Sequence, residues 1–353
     1  MNRNLSGLRI GYIPYSETFE RPGDRRRFCY YAAKRNIRFE IAKPDEVYDV
    51  LIATQKADLS VWSDYHRGNA KVIYDLADSY LTASRLDLKN LFRGLAKFVA
   101  RQSRYLRLSH WKAIQTMCRR ANAVICCTDE QQKEASQFCP NVHIILDFQT
   151  SVIRSGKTNY SSGEVFNFVW EGVPGNLNSF RAIRSVLERL KTKHKWAMHI
   201  VTDYEYHQYL GQYRRRRTRD MARCLFDNSY LYEWNEQMAS VIISACDMAL
   251  IPIPMDDSLS AGKPANKLLL FWRMGVPVVV SAIPAYASMM KRAGLPMACR
   301  TPQEWEDTLE RYIRDPAARK EAGQRGKDFA EEYYGEKQIL ALWDDLLNSV
   351  LSR

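Results

Sequence analysis

The 353-residue sequence predicts an α/β chain made of two doubly wound domains. Three observations carry that expectation. Short apolar runs alternate with helix-patterned segments along the chain, as parallel strands joined by crossover helices do. The alternation stops once, in the polar, small-residue stretch FQTSVIRSGKTNYSSG over residues 148–163, and then restarts. The clearest unit, residues 247–281, reads strand, Gly/Pro/Ser loop, short helix, strand. Its two strand segments are apolar throughout, which suits strands buried on both faces of a parallel sheet.

In the first half, strands are expected at residues 8–14, 37–41, 59–62, 72–75, 123–126 and 143–146, with a helix over 24–35. A second helix opens at Thr128, where Gln131 follows at capping-box spacing. The second half begins with a strand at 166–171, a helix at 179–191 and a strand at 196–202. A short strand at 231–233 and a helix at 238–245 lead into the strand 248–253, the helix 265–274 and the strand 276–280. Thr301-Pro302-Gln303-Glu304 and Asp315-Pro316 are both cap-plus-proline helix starts, and Gly335 separates two terminal helices. The expected division is a domain over 1–150, a linker over 151–163, a domain over 164–335, and a terminal helix over 336–353 placed to cross back to the first domain. Ligands of open α/β sheets bind beyond the strand carboxyl ends, so the two domains are expected to face each other across a cleft.

Composition narrows the class. The chain is 46% hydrophobic and 26% charged, which excludes a disordered protein. The longest apolar run, 276–287, is broken by Ser281 and Pro284 and falls short of the roughly 20 residues that cross a bilayer. The N-terminus runs straight into the first strand without a signal-peptide apolar region, so a cytoplasmic protein, soluble or peripheral, is expected. Eight cysteines include no CxxC and no zinc spacing, which fits a reducing compartment. The net charge of +12 calls for an anionic partner: membrane, nucleic acid or phosphorylated substrate.

Several residues are candidates for that partner. Lys263, Asn266 and Lys267 stand where a loop becomes a helix, and a helix start beside two ammonium groups is a good diphosphate site. Gly172, Gly175 and Asn176, in GVPGN, turn a buried strand towards a helix and let backbone N–H groups approach a phosphate. Arg25 lies in Arg21-Pro22-Gly23-Asp24-Arg25-Arg26-Arg27, a glycine turn with an acidic cap and a cluster of arginines that would cradle an anion. Asp78, just past a strand end, is a candidate to bind a hydroxyl or take its proton, as His66 and His110 are more weakly. Asp75 reads as structural. Asp256-Asp257 is not a DxD metal signature, and no metal is expected in the chemistry. Arg85, Lys89, Arg93, Lys97 and Arg101 recur every four residues opposite an apolar face. From Arg85 to Arg120 there are ten basic residues and one acid, a stretch suited either to an anionic membrane surface or to a helix with wet charges. A second basic run, Arg214-Arg215-Arg216-Arg217, is expected in a loop or helix beside the cleft.

Taken together, Val169-Trp170-Glu171-Gly172, Gly175-Asn176-Leu177, Asp247-Met248-Ala249-Leu250-Ile251-Pro252, Lys263-Pro264-Ala265-Asn266-Lys267-Leu268 and Gly275-Val276-Pro277-Val278-Val279 resemble a known family. The likeness is to GT-B-type glycosyltransferases, in particular the family 4 (group 1) enzymes that build bacterial surface polysaccharides. Val72-Ile73-Tyr74-Asp75-Leu76-Ala77-Asp78 and Ala121-Asn122-Ala123-Val124-Ile125 resemble the corresponding first-half strands. The resemblance implies two Rossmann-like domains, the second for a nucleotide diphosphate-sugar donor and the first for a glycan or lipid-linked acceptor. It implies retention of configuration, with no metal and no cofactor beyond the donor substrate. Lys267, with Lys263 and Asn266, would hold the leaving diphosphate; Asp78 would serve the acceptor and Arg25 a phosphate. Many members carry two glutamates separated by seven residues; Gly262 and Leu270 stand at those positions here. A nucleotide-sugar epimerase and a degenerate glycosyltransferase serving as a partner subunit are the alternatives, the second motivated by that departure. A basic nucleic-acid binder is the distant one, since no reader motif or interleaved exposed aromatics are evident.

Overall fold

The computed structural model describes residues 7–77, 104–105, 109–208, 213–256 and 258–352. The chain divides into two compact units: Met1–Phe148 with Gly262–Pro264 and Glu336–Arg353, and Gln149–Ala261 with Ala265–Gly335.

The first unit runs β1 (Ile10–Ile13), α1 (Pro22–Arg25), α2 (Phe28–Arg35), β2 (Glu40–Ile41), β3 (Val50–Thr54), α3 (Leu59–Trp62), β4 (Lys71–Asp75), α4 (His110–Arg120), β5 (Ala123–Cys126), α5 (Asp129–Ser136) and β6 (Val142–Ile144). All strand pairs are parallel, in the order β2-β1-β3-β4-β5-β6. Ile10, Ile52, Ile73 and Ile125 face a layer that includes Phe28, Tyr31 and Trp343. Leu51, Ala53, Val72 and Val124 face the other, with Ile114 and Met117 of α4. The chain's last helix, Glu336–Leu351, belongs to this unit: Trp343 stacks on Tyr31 at 5.4 Å, and the Tyr31 hydroxyl donates to Asp344 at 2.8 Å.

Three sequence expectations change here. Residues 59–62 are a single helical turn, because the Asp58 carboxylate accepts from the Ser60 N–H at 3.0 Å and caps it. The strand lies earlier, at β3, whose VLIAT run is buried throughout and so lacks alternation. The helix expected over 24–35 breaks at Arg26 and Arg27 into α1 and α2. Asp24 is not a cap; buried within α1, it accepts from the Tyr12 hydroxyl and from the Tyr15 and Ser16 N–H groups, at 2.8–3.0 Å.

The second unit contains β7 (Phe166–Glu171), a 3-10 segment (Pro174–Ile183), α6 (Arg184–Lys193), β8 (Trp196–Thr202), β9 (Glu205–Gln208), β10 (Tyr213–Arg217), α7 (Thr218–Leu225), β11 (Ser229–Glu233), α8 (Ala239–Ala245), β12 (Met248–Ile251), α9 (Ser258–Ala261), α10 (Asn266–Arg273), β13 (Val278–Ser281), α11 (Pro284–Arg292), β14 (Ala298–Cys299), α12 (Pro302–Arg314) and α13 (Pro316–Tyr334). Its parallel sheet has the order β11-β8-β7-β12-β13-β14. Numbered within the unit, leaving out β9 and β10, that is 3-2-1-4-5-6, the Rossmann order, and its switch point lies between β7 and β12. β9 and β10 form a separate antiparallel hairpin. The 214–217 arginine run is therefore a strand, not the loop or helix expected. The first part of the helix expected over 179–191 is the 3-10 segment, and α6 supplies the rest.

Candidate functional site

The switch point fixes where a ligand of the second unit should sit. β7 ends at Glu171, and the chain turns at Gly172, whose φ of 156° disfavours any residue with a Cβ. The turn is anchored to the end of β8. The Thr202 hydroxyl donates to the Gly172 carbonyl at 2.5 Å, and the Gly172 N–H donates to the Val201 carbonyl at 3.3 Å. Pro174 then starts the 3-10 segment at a position where its missing N–H costs no bond. Gly175 is exposed, and a Cβ there would meet nothing within 4 Å, so space does not demand a glycine at that position. Asn176 is half-buried on the same turn.

On the other side of the switch point, α10 follows β12. Its apolar residues Leu268 to Trp272 are buried, which orients the half-buried Asn266 and Lys267 away from that packing. The Lys267 side chain reaches β7. Its ammonium stands 4.8 Å from the Trp170 ring centroid, and a Cβ on Gly172 would come within 2.2 Å of Nζ. The missing side chain of Gly172 thus makes room for a cation seated on an aromatic face. The N-terminal end of α10 adds the partial positive charge of its dipole. Gln149 steadies this end by donating its Nε2 hydrogen to the Asn266 carbonyl, while its buried Oε1 has no partner among the described residues. Trp170, Thr202 and Gln149 are the site residues that sequence reasoning missed. Trp170 offered one signal, an aromatic two residues before the glycine turn.

Lys263 is one of three residues counted with the first unit, so Lys267 and Asn266 are the second unit's own share of the expected lysine cluster. Leu270 is 2% exposed, so this chain places a core side chain where many of the family it resembles carry a glutamate. Burial, and after it the charge of Glu171, pushes the Tyr286 phenol above its ordinary range, keeping it neutral near the end of β7.

In the first unit Arg25 is half-buried, and its Nε donates to the Glu20 carbonyl at 3.0 Å. Burial and then the adjacent Arg26 lower its pKa, an environment that a bound anion would relieve. Arg27 takes a structural role. It is 1% exposed and forks onto Asp75 at 2.6 and 2.7 Å, with Asp147 at 2.8 Å. Burial opposes its charge, but Asp75, with Cys127 and Asp147 behind it, outweighs burial and holds the pKa well above the usual arginine value. Asp75 is structural, as expected. Asp78 and Asp257 lie outside the described residues, as do Arg85, Lys89, Arg93, Lys97 and Arg101. At the near end of that basic stretch, Arg119 lies over the Phe138 ring and Arg120 donates to the Tyr65 carbonyl. His66 is exposed and lines an open polar cavity with Lys71, Arg120 and Asn122, while His110 is buried in the first turn of α4. Among the described residues no group of His, Cys, Asp or Glu could hold a metal, and no helix is long and apolar enough to cross a membrane.

Two Rossmann-like units in one chain are the architecture of the GT-B fold that glycosyltransferases share. Solved structures share it. S. aureus TarM, as a mutant in complex with Fondaparinux, alpha-GlcNAc-glycerol and UDP, superposes with a TM-score of 0.58 at 13% identity, over 85% of this chain and 55% of that one. The present chain therefore spans about half the length of TarM. Sucrose-phosphate synthase from Thermosynechococcus elongatus gives 0.57 at 15% identity, over 97% and 81% of the two chains. WaaG, a glycosyltransferase involved in lipopolysaccharide biosynthesis, gives 0.53 at 13% identity, over 98% and 100%. No family model matches the sequence, and no curated protein does. What these structures have in common with this chain is the fold.

Proposed function

We propose that the chain is a glycosyltransferase that moves a sugar from a nucleotide diphosphate-sugar to a glycan or lipid-linked acceptor in cell-surface glycan synthesis. The observation that carries this reading is the Lys267 ammonium, seated on Trp170 and against Gly172 at the β7/β12 switch point. A diphosphate there meets a fixed cation, a helix start and a glycine turn. In the reaction the bond from the sugar C1 to the diphosphate oxygen breaks and its electron pair leaves with the diphosphate. A new C1–O bond forms to the acceptor hydroxyl, whose proton passes to a base or to the leaving phosphate. Charge grows on the leaving oxygens, and Lys267, with Asn266 and Lys263, stabilises it; one such preorganised contact is worth ~2.7–4 kcal/mol in the transition state.

The second unit is the donor side in this reading and the first the acceptor side, with Asp78 and Arg25 as its candidate residues. Transfer proceeds with retention and needs no metal or further cofactor, so it should survive a chelator. The protein works in the cytoplasm or at the inner face of the membrane, where the stretch from Arg85 to Arg120 meets anionic lipid. A thermal-shift series of nucleoside diphosphates and their sugars tests the core of the reading. At 100 times Kd a ligand adds about 2.7 kcal/mol to the native state, a shift of a few degrees. Lys267→Met should abolish most of it. If no nucleoside diphosphate shifts the native chain, the reading is wrong.

A further inference from the structure

The four consecutive arginines form no part of the diphosphate site just described, yet they stand beside it. The β9–β10 hairpin leaves the sheet at the carboxyl end of β8, the strand next to β7. β9 packs against the 3-10 segment that starts two residues after Gly172. Arg214, Arg215, Arg216 and Arg217 are all exposed. Arg215 is paired with Glu205 at 2.6 Å. Among the described residues neither Arg214 nor Arg217 has an acidic partner, and the sequence of residues 209–212, YLGQ, adds no carboxylate.

The ribbon's register decides what such a charge cluster fits. Arg215 opposes His207, Arg216 opposes Tyr206 and Arg217 opposes Glu205, so Arg215 and Arg217 share one face and Arg216 takes the other. A bulge at Arg214, with φ at 50°, holds a non-glycine residue in the left-handed region and re-aims it. A flat lipid surface meets one face of a ribbon. Guanidinium groups spread over both faces suit a flexible chain that carries anionic groups at intervals and bends around the hairpin. The ring of Tyr204, 48% exposed at the hairpin's base, offers an apolar face to a sugar.

We propose that this arginine ribbon holds the non-reacting length of an acidic acceptor glycan, one bearing carboxylate or phosphate groups along its chain, next to the donor site, while the reacting hydroxyl remains the task of the acceptor-side residues named above. The proposal rests on the glycosyltransferase reading and names its acceptor class. Guanidinium forks match both oxyanions in a bidentate manner.

The test titrates the full chain with a labelled oligo-alginate, a glycerol-phosphate oligomer and a neutral dextran of equal length. At least one acidic chain should bind, more weakly at higher salt, while dextran does not. Arg214→Gln/Arg217→Gln should weaken that binding about tenfold, the loss of two charge-assisted contacts. The same double variant should keep its nucleoside diphosphate thermal shift, which shows an intact fold and donor site. Binding of neither acidic chain, equal binding by the double variant, or arginine-dependent capture only by phosphatidylglycerol vesicles or a single-stranded RNA would each overturn the proposal. Absence of any nucleotide shift in the native chain, with arginine-dependent binding of an acidic glycan present, would instead overturn the glycosyltransferase reading.

Discussion

The Lys267 ammonium lies 4.8 Å from the centroid of the Trp170 ring, although the two residues belong to different βα units of the sheet. Trp170 is 1% exposed and held within β7, so the ring is a fixed platform and the cation is the movable partner. Such a pairing is worth ~0.5–2 kcal/mol, enough to choose one lysine rotamer without neutralising its charge. The ammonium is thus placed before any ligand arrives, which is what electrostatic preorganisation at a leaving group requires.

Gly172→Ala should separate ligand binding from stability. The new methyl would fall 2.2 Å from Lys267 Nζ and 3.1 Å from the Trp170 ring, on a backbone whose φ is 156°. The lysine end can swing away, so the melting temperature should drop by only a few degrees, about 1–2 kcal/mol. Nucleoside diphosphate affinity should fall at least about tenfold, because the cation loses its seat. Unchanged affinity in a calorimetric titration would remove Gly172 from the site.

How much of this was legible in the sequence depends on what each residue contacts. The βα repeat, the caps at Thr128, Thr301 and Asp315, and the GVPGN and KPANK segments could be read because their signals are local. The pairing of those two segments could be foreseen only as chemistry, since what joins Gly172 to Lys267 is the order of strands in the sheet. Trp170 was named only within a family-like segment, because a buried aromatic in a strand looks the same whether or not a cation rests on it. Leu59 to Trp62 read as a strand because four apolar-leaning residues fit either period, and the Asp58 cap decided it. Arg27 was one of three alike in sequence, and only its distance to Asp75 sets it apart.

Gly323→Ala should disturb α10 from behind. A Cβ at Gly323 would lie 2.3 Å from the Gly275 carbonyl oxygen and 2.7 Å from the Tyr160 ring, and a carbonyl cannot swing away as a lysine can. α13 must therefore back off from α10, at a cost of about 1–3 kcal/mol or more. Limited proteolysis and thermal melting should both report a loosened second unit. A variant as stable as the native chain would show that the packing there yields.

Asp75→Ala should be among the most damaging single changes in the first unit. It leaves the buried Arg27 guanidinium without its forked partner, and breaking a buried pair from one side costs about 3–5 kcal/mol. Removing both charges, as Arg27→Met/Asp75→Leu, should cost less than Asp75→Ala alone, since no uncompensated cation remains. Asp147, on the rim of the cluster, can turn to water. Urea unfolding followed by circular dichroism distinguishes the two; a double variant weaker than the single would contradict the argument.

His199 should make the second unit sensitive to mild acid. Its ring stands 3.0 Å from both the Tyr232 hydroxyl and the Asn167 amide oxygen, and it stacks against Tyr232. Burial lowers its pKa below the ordinary 6.5, with Asp247 pulling weakly the other way. In the unfolded chain the imidazole takes up a proton near its ordinary pKa, while in the folded chain it resists until lower pH. The unfolded state therefore binds more protons between those two values, and stability, full above about 6.5, declines as pH falls through that window. His199→Gln keeps one donor and one acceptor but cannot titrate. Its melting temperature should fall less between pH 7.5 and 5.5 than that of the native chain, and parallel pH profiles would show that the ring takes no part in the acid response.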